Sequence, residues 1–202
     1  AASDLKALDA KTSVTVNAAI VETITGSAAD IKTVLAAKTI TTAANVKATV
    51  DSVISAADAN TISKATIGEV KAEVAAGTAA ALKSALAGVS NDNNDALTLK
   101  VSGTTATAAD LNALDAKTSV YVDATAVSKI TGNAADVKKA VGVAAEINLD
   151  AAVAIDVSGT VSVADANLID DTTGVVTATI ETGTAATLKL LSNTNENAYK
   201  LT

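Results

Sequence analysis

The 202-residue chain lacks Cys, His, Arg, Met, Trp, Phe, Pro and Gln, and its only aromatics are Tyr121 and Tyr199. Each absence removes a class of chemistry. Without Cys there is no disulfide framework, no thiolate metal site and no thiol nucleophile. Without His there is no imidazole base or ligand and no Ser-His-Asp triad. Without Arg there is no bidentate clamp for phosphate or carboxylate. Only Asp, Glu, Lys, Ser, Thr and Tyr are left to build a catalytic site. The sequence is therefore read as that of a protein that is not an enzyme, with no catalytic or cofactor-binding residue assigned.

What remains is 47 Ala, 29 Thr and a net charge of −7 from 15 Lys against 22 Asp and Glu. A diffuse negative charge disfavours nucleic acid and anionic membrane as partners. The hydrophobic fraction of 49% is enough for a core, which must be built from Val, Ile, Leu and Ala. No uncharged apolar run approaches the roughly 18 residues that would span a bilayer, so no membrane insertion is expected. The chain opens without Met on the start of a repeat, which reads as a processed product or an excised segment.

Internal repetition is the main signal. Residues 1–34 and 107–140 align without gaps and share 21 identities; Ala7–Val14 recurs unchanged as Ala113–Val120. A shorter period lies inside this one. Its anchor places Asp at 4, 30, 58, 110, 136 and 165, with Ala81 and Thr187 in the same place in two degenerate copies. That gives eight repeats of about 26 residues, in two alternating kinds. Odd repeats carry Thr eight residues after the anchor (Thr12, Thr66, Thr118, Thr173), and two even repeats share an Asn-rich loop (Ser90–Asn93 and Ser192–Asn195). The four double repeats are residues 1–54, 55–106, 107–161 and 162–202.

Each anchor reads as a helix start. In Ser27-Ala-Ala-Asp30, Ser55-Ala-Ala-Asp58 and Asn133-Ala-Ala-Asp136 the first residue caps the helix, and the Asp reaches back to the cap N–H while meeting the positive end of the helix dipole. A polar turn follows, then alternating segments such as Val14-Thr-Val16 and Val21-Glu-Thr-Ile24 that read as strands. Gly26, Gly77, Gly132 and Gly183 close several of these segments, where a positive φ is expected. The predicted fold is an α/β solenoid of helix–strand–strand repeats, a single domain over 1–202 with short helices flanking stacked parallel strands. Strands stack at about 4.8 Å and helices at about 8–10 Å. Odd and even helices are therefore expected on opposite faces, one helix per two strand layers.

Architecturally the pattern resembles the bacterial short-helix leucine-rich repeat, without its Asn ladder. In wording, Leu8–Ala18 and Ile24–Asp30 are similar to segments of giant tandem-repeat proteins of marine bacteria, including cyanobacteria. That resemblance implies a secreted or surface-attached protein of RTX-adhesin type, with a structural or adhesive role. The calcium nonapeptide Gly-Gly-x-Gly-x-Asp of RTX repeats is absent here, so calcium-driven folding is not carried over.

Several residue groups match the pattern of a site, and each has a plainer reading. Asn91-Asp92-Asn93-Asn94-Asp95 has the oxygen ligands of a Ca²⁺ loop but reads better as a solvated loop insertion, and no metal ligand is assigned. The recurrent Asp residues read as helix caps rather than catalytic carboxylates. Ser3 and Lys6 match S-x-x-K by chance. Tyr121 is expected to project off the sheet, and Thr15, Thr23, Thr25, Thr177 and Thr179 raise the idea of a flat Thr rank.

The functional expectation is an extracellular or cell-surface structural protein, building a rod, filament or layer by end-to-end or lateral stacking. Its partners would be copies of itself or adjoining repeats of a longer chain. Both termini fall inside the repeat pattern, without the polar capping repeats that solenoids use. The alternatives are the stalk of a large adhesin, with a surface glycan as the partner at a distant tip, and a carboxylate-based glycan hydrolase.

Overall fold

The computed structural model describes residues 1–90, 93–142, 144–171 and 173–202. It is a mixed α/β structure that divides into two compact bodies. The first comprises Ala1–Ala76, Ala81–Lys100 and Ala116–Val120; the second comprises Gly77–Ala80, Val101–Asp115 and Tyr121–Thr202.

The first body runs α1 (Ala2–Asp9), β1 (Val16–Ala18), β2 (Thr23–Gly26), α2 (Ala28–Ala36), β3 (Ile40–Thr42), β4 (Lys47–Val50), α3 (Ala56–Ala65), β5 (Val70–Glu73), most of α4 (Ala79–Ala85) and β6 (Ala96–Thr98). The second runs β7 (Thr105–Thr107), α5 (Ala108–Asp115), β8 (Val122–Ala124), β9 (Lys129–Asn133), α6 (Ala134–Val141), β10 (Ile147–Leu149), β11 (Ala154–Val161), α7 (Val163–Asp170), β12 (Val176–Ile180), α8 (Ala185–Leu188) and β13 (Ala198–Leu201).

The helices begin where the anchors predict. The cap side chains of Ser27, Ser55, Asn133 and Ser162 accept from the N–H of Asp30, Asp58, Asp136 and Asp165 at 3.2, 3.0, 2.9 and 3.1 Å. The expected return bond to the cap nitrogen is made by Asp4, which accepts from Ala1 N at 3.1 Å; the carboxylates of Asp30, Asp58 and Asp136 do something else. They accept from the cap side chain itself: Ser27 Oγ at 3.0 Å, Ser55 Oγ at 3.0 Å and Asn133 Nδ2 at 2.7 Å. The glycines also divide by role. Gly26 has φ +141°, whereas at Gly132 the limit is space, since a Cβ would meet Ala108 Cβ at 3.1 Å.

Every strand pairing among the described residues is parallel, and each strand lies beside its counterpart one repeat further on. In the first body Val16 stands opposite Ile40 and Ile24 opposite Ala48, and the larger sheet has the order β2-β4-β5-β6. In the second, Ile130 is flanked by Ala106 and Ile155, within the order β13-β12-β11-β9-β7. Alternate residues point inward, so Ile24 and Leu97 in the first body and Ile130, Ile155 and Ile180 in the second are almost wholly buried, as are Ile31 and Ile62, and Leu111 and Ile169, of the helices packed on the respective sheets. Each such side chain contributes on the order of 1.5–3 kcal/mol by leaving water.

Odd and even helices do not alternate sides. Helix α2 packs against both α1 and α3, and α6 packs against both α5 and α7. Helices about 8–10 Å apart beside strands about 4.8 Å apart require the helical layer to splay within each body. Buried Ala2 and Ala108 sit close to the sheets, where a Cβ at Gly26 or Gly132 would meet theirs at 3.7 and 3.1 Å.

Candidate functional site

The polar residues best placed to do chemistry turn out to join one repeat to the next. A lysine two residues after the anchor Asp reaches the anchor Asp of the following helix: Lys6 to Asp30, Lys32 to Asp58, and Lys138 to Asp165 at 2.6 Å. These bonds from lysine, together with those from the cap serines, hold the carboxyls of Asp30 and Asp58 below the usual range. Where Asn replaces Lys it binds backbone instead. Asn60 Oδ1 accepts from Gly88 N–H at 2.8 Å, and Asn167 both donates to Leu190 C=O and accepts from Ser192 N–H at 2.8 Å. The signal in the sequence is Asp-x-Lys or Asp-x-Asn at each of the six Asp anchors, and it acquires meaning only when the next repeat is in place.

Two of the periodic Thr residues, Thr66 and Thr118, also join successive repeats, whereas the Thr173 hydroxyl donates to the Ile169 carbonyl of its own repeat at 2.9 Å. Thr66 Oγ1 donates to the Val46 carbonyl at 2.5 Å and accepts from Gly68 N–H at 3.0 Å. Thr118 Oγ1 donates to the Leu97 carbonyl at 2.8 Å and accepts from Val120 N–H at 3.3 Å. One hydroxyl thus closes the turn from helix to strand and ties it to the preceding repeat, which is why Thr66 and Thr118 are buried.

Among the described residues Asp95, Asp110 and Asp170 are buried, and the first and last almost wholly so. Asp95 is 0% exposed and accepts from Ser63 Oγ at 2.5 Å and Val70 N–H at 2.8 Å. Burial pushes its carboxyl up, against the pull of those two donors. Asp170 is 2% exposed and accepts from Ser192 Oγ (2.6 Å), Thr194 Oγ1 (2.8 Å), Asn195 Nδ2 (3.2 Å) and Asn197 Nδ2 (2.6 Å). Burial acts to raise it, but the donors of Asn197, Ser192 and Thr194 prevail and hold it at about 2. Burial and the charge of Asp170 in turn push the Tyr199 hydroxyl up to about 12. A carboxylate so fully donated to is a fixed anion; it has no lone pair left for a substrate proton.

The suspected Ca²⁺ loop belongs to this same machinery. Asn91 and Asp92 lie outside the described residues. The rest does not fit a solvated insertion: Asp95 is engaged inside the protein as above, and Asn93 Nδ2 donates to the Thr66 carbonyl at 3.3 Å. The matching loop behaves likewise, with Asn195 Nδ2 donating to the Thr173 carbonyl at 2.9 Å. Asn94 and Glu196 sit at equivalent points with φ of 52° and 57°, the turn that swings the following residue inward. Among the described residues no group of three or more acids is placed to hold a metal.

The other candidates do not come together as sites. Lys6 is committed to Asp30 and Ser3 is exposed. Tyr121 is 66% exposed beside the buried Val122, as the alternation predicts. The Thr positions do not make a flat rank, because Lys47 lies opposite Thr23 and Asp156 opposite both Thr131 and Thr177. An open groove in the second body includes Thr107, Thr131, Asp136 and Asp156, but the Asp136 carboxylate accepts from Nδ2 of Asn133, the cap of α6, at 2.7 Å and Asp156 is ion-paired with Lys129 at 3.0 Å. No helix among the described residues is long and apolar enough to cross a membrane. No family model, curated protein or solved structure matches this chain.

Proposed function

We propose that the chain is a structural repeat protein of the cell exterior, each body a stretch of α/β solenoid, and that it builds a rod, filament or layer rather than acting on a substrate. The observation that carries this reading is the destination of its polar side chains. Lysine, threonine, asparagine and the buried carboxylates are spent on the neighbouring repeat, in ladders that recur with the period of the sequence. An enzyme keeps convergent polar groups free toward a cleft. A scaffold spends them on its own continuation, and nearest-neighbour contacts of this kind are how repeat arrays are stabilised. The low aromatic content agrees, since sugar- and peptide-binding surfaces lean on aromatic side chains.

Electron microscopy of the native material tests the proposal. Rods, fibres or an ordered layer are the expected result. Dispersed particles that turn over or bind a small substrate would overturn it.

A further inference from the structure

Asp95, wholly buried, ties three repeats of the first body together. Its carboxylate accepts from Ser63 Oγ of α3 at 2.5 Å and from Val70 N–H of β5 at 2.8 Å. Its backbone carbonyl takes the Ser119 N–H, in the segment Ala116–Val120 of the same body, at 2.8 Å. The charged groups around this joint leave the carboxylate without a cation. Glu69, next to Val70, adds a second negative charge and is itself paired with Lys47 at 3.2 Å. The Lys64 side chain lies over Gly88, and Lys117 Nζ donates to the carbonyls of Val89 and Ala87. Among the described residues no lysine meets Asp95.

The partners decide how such a site answers a proton. Val70 N–H only donates, and it holds Oδ1. Ser63 holds Oδ2, and a hydroxyl both donates and accepts. A proton arriving on Oδ2 would be given to Ser63 Oγ along the same line. Ser63 would then turn its own hydrogen to the Ala59 carbonyl one helical turn back, the bond that Thr33 and Thr61 make to Ala29 and Ala57 at 2.7 and 2.8 Å. No hydrogen bond of the joint would be lost. Asp170, in the second body, is built the opposite way. Ser192, Thr194, Asn195 and Asn197 all donate to it, and the N–H groups of Thr194, Asn195 and Asn197 cannot accept in return.

We propose that Asp95 is a proton-binding joint between repeats: acid loads a proton from solvent onto its Oδ2 and tightens the first body at this point, while acid loosens the second body at Asp170. The electrostatics act in the same direction. Burial, joined by the charge of Glu69, pushes the Asp95 carboxyl above its ordinary value of 3.8, against the pull of Ser63 and Val70. The folded chain therefore binds this proton before the unfolded chain does. The resulting stability is present in full below 3.8 and is lost as the pH rises through the folded value. Asp170, held at about 2, contributes with the opposite sign. The joint works in the same way whether or not the chain builds a filament.

Carboxyl ¹³C NMR of the labelled full chain tests the proposal, with each resonance assigned by through-bond correlation to its backbone. The Asp95 carboxyl is expected to titrate with a midpoint above 3.8, and that of Asp170 to stay ionised down to about pH 3. Asp30 and Asp58, held low in the first body, respond to acid as Asp170 does, so stability is read as a difference. Asp95→Asn keeps an acceptor for the Val70 N–H and removes the titration. The loss in urea midpoint that it causes is expected to widen as the pH falls from about 7 to about 3, whereas that of Asp170→Ala narrows. An Asp95 midpoint at or below 3.8 would overturn the proposal, and so would a loss that narrows on acidification or ignores pH. If Asp95→Asn does not fold, the titration of the wild type decides alone.

Discussion

Replacing Ser63 by Asp is expected to destabilise the first body by about 3–5 kcal/mol, and adding Asp95→Asn is expected to recover most of that loss. The reasoning comes from two versions of one node in the same chain. Ser63 and Asp170 each stand five residues after an anchor Asp, and Asp95 and Asn197 occupy the same place in their loops. In one version a hydroxyl donates to a carboxylate across 2.5 Å; in the other a carboxylate accepts from an amide across 2.6 Å. Donor and acceptor have changed places. Ser63→Asp alone would set two carboxylates face to face in a buried site, where both cannot remain ionised. The second substitution restores a donor, and its Oδ1 can still take the Val70 N–H, as Asn197 Oδ1 takes that of Val176 at 2.7 Å. Urea unfolding of the wild type, both single variants and the double variant measures the coupling. Simple additivity of the two losses would refute the exchange.

Asp170→Ala is expected to cost about 3 kcal/mol, because four side-chain donors lose a charged acceptor and are left facing an apolar methyl group. The effect should depend on pH in a defined direction. The folded carboxyl sits at about 2, below its ordinary value of 3.8. Its contribution, roughly 2 kcal/mol for a depression of that size, is present in full above pH 4 and fades as the pH falls toward 2. Unfolding midpoints of wild type and variant should therefore converge on acidification. A gap that stayed constant from pH 5 to pH 2 would show that the charge of Asp170 contributes nothing.

The parts of the fold that were legible in the sequence are those set locally. Ser27, Ser55, Asn133 and Ser162 cap helices because a short side chain and an N3 amide lie within one turn, and that spacing is written in the residues. Parallel strands followed from a period too short for anything but a helix between them. The face on which the helices lie was not legible. The expectation of alternate faces rested on the difference between strand and helix spacing, whereas the packing of α2 on both α1 and α3, and of α6 on both α5 and α7, depends on how the helical layer splays, which no residue pattern states.

The candidate loop misled for a different reason. Asn91–Asp95 is the most polar stretch of the chain, and a polar run reads as solvated; its partners, Ser63, Thr66 and Val70, are more than twenty residues away in sequence. The Thr eight residues after the anchor was visible as a regularity but had no meaning until the preceding repeat supplied a carbonyl. The Lys of Asp-x-Lys is of the same kind. A ladder between repeats is written once per period, and its two halves are never adjacent.

If the chain builds a filament as proposed, successive repeats stack their strands along the filament axis. Fibre diffraction from aligned native material then shows a reflection near 4.8 Å on the meridian, the strand spacing lying along that axis. The same reflection on the equator, or without any orientation, would refute the stacking.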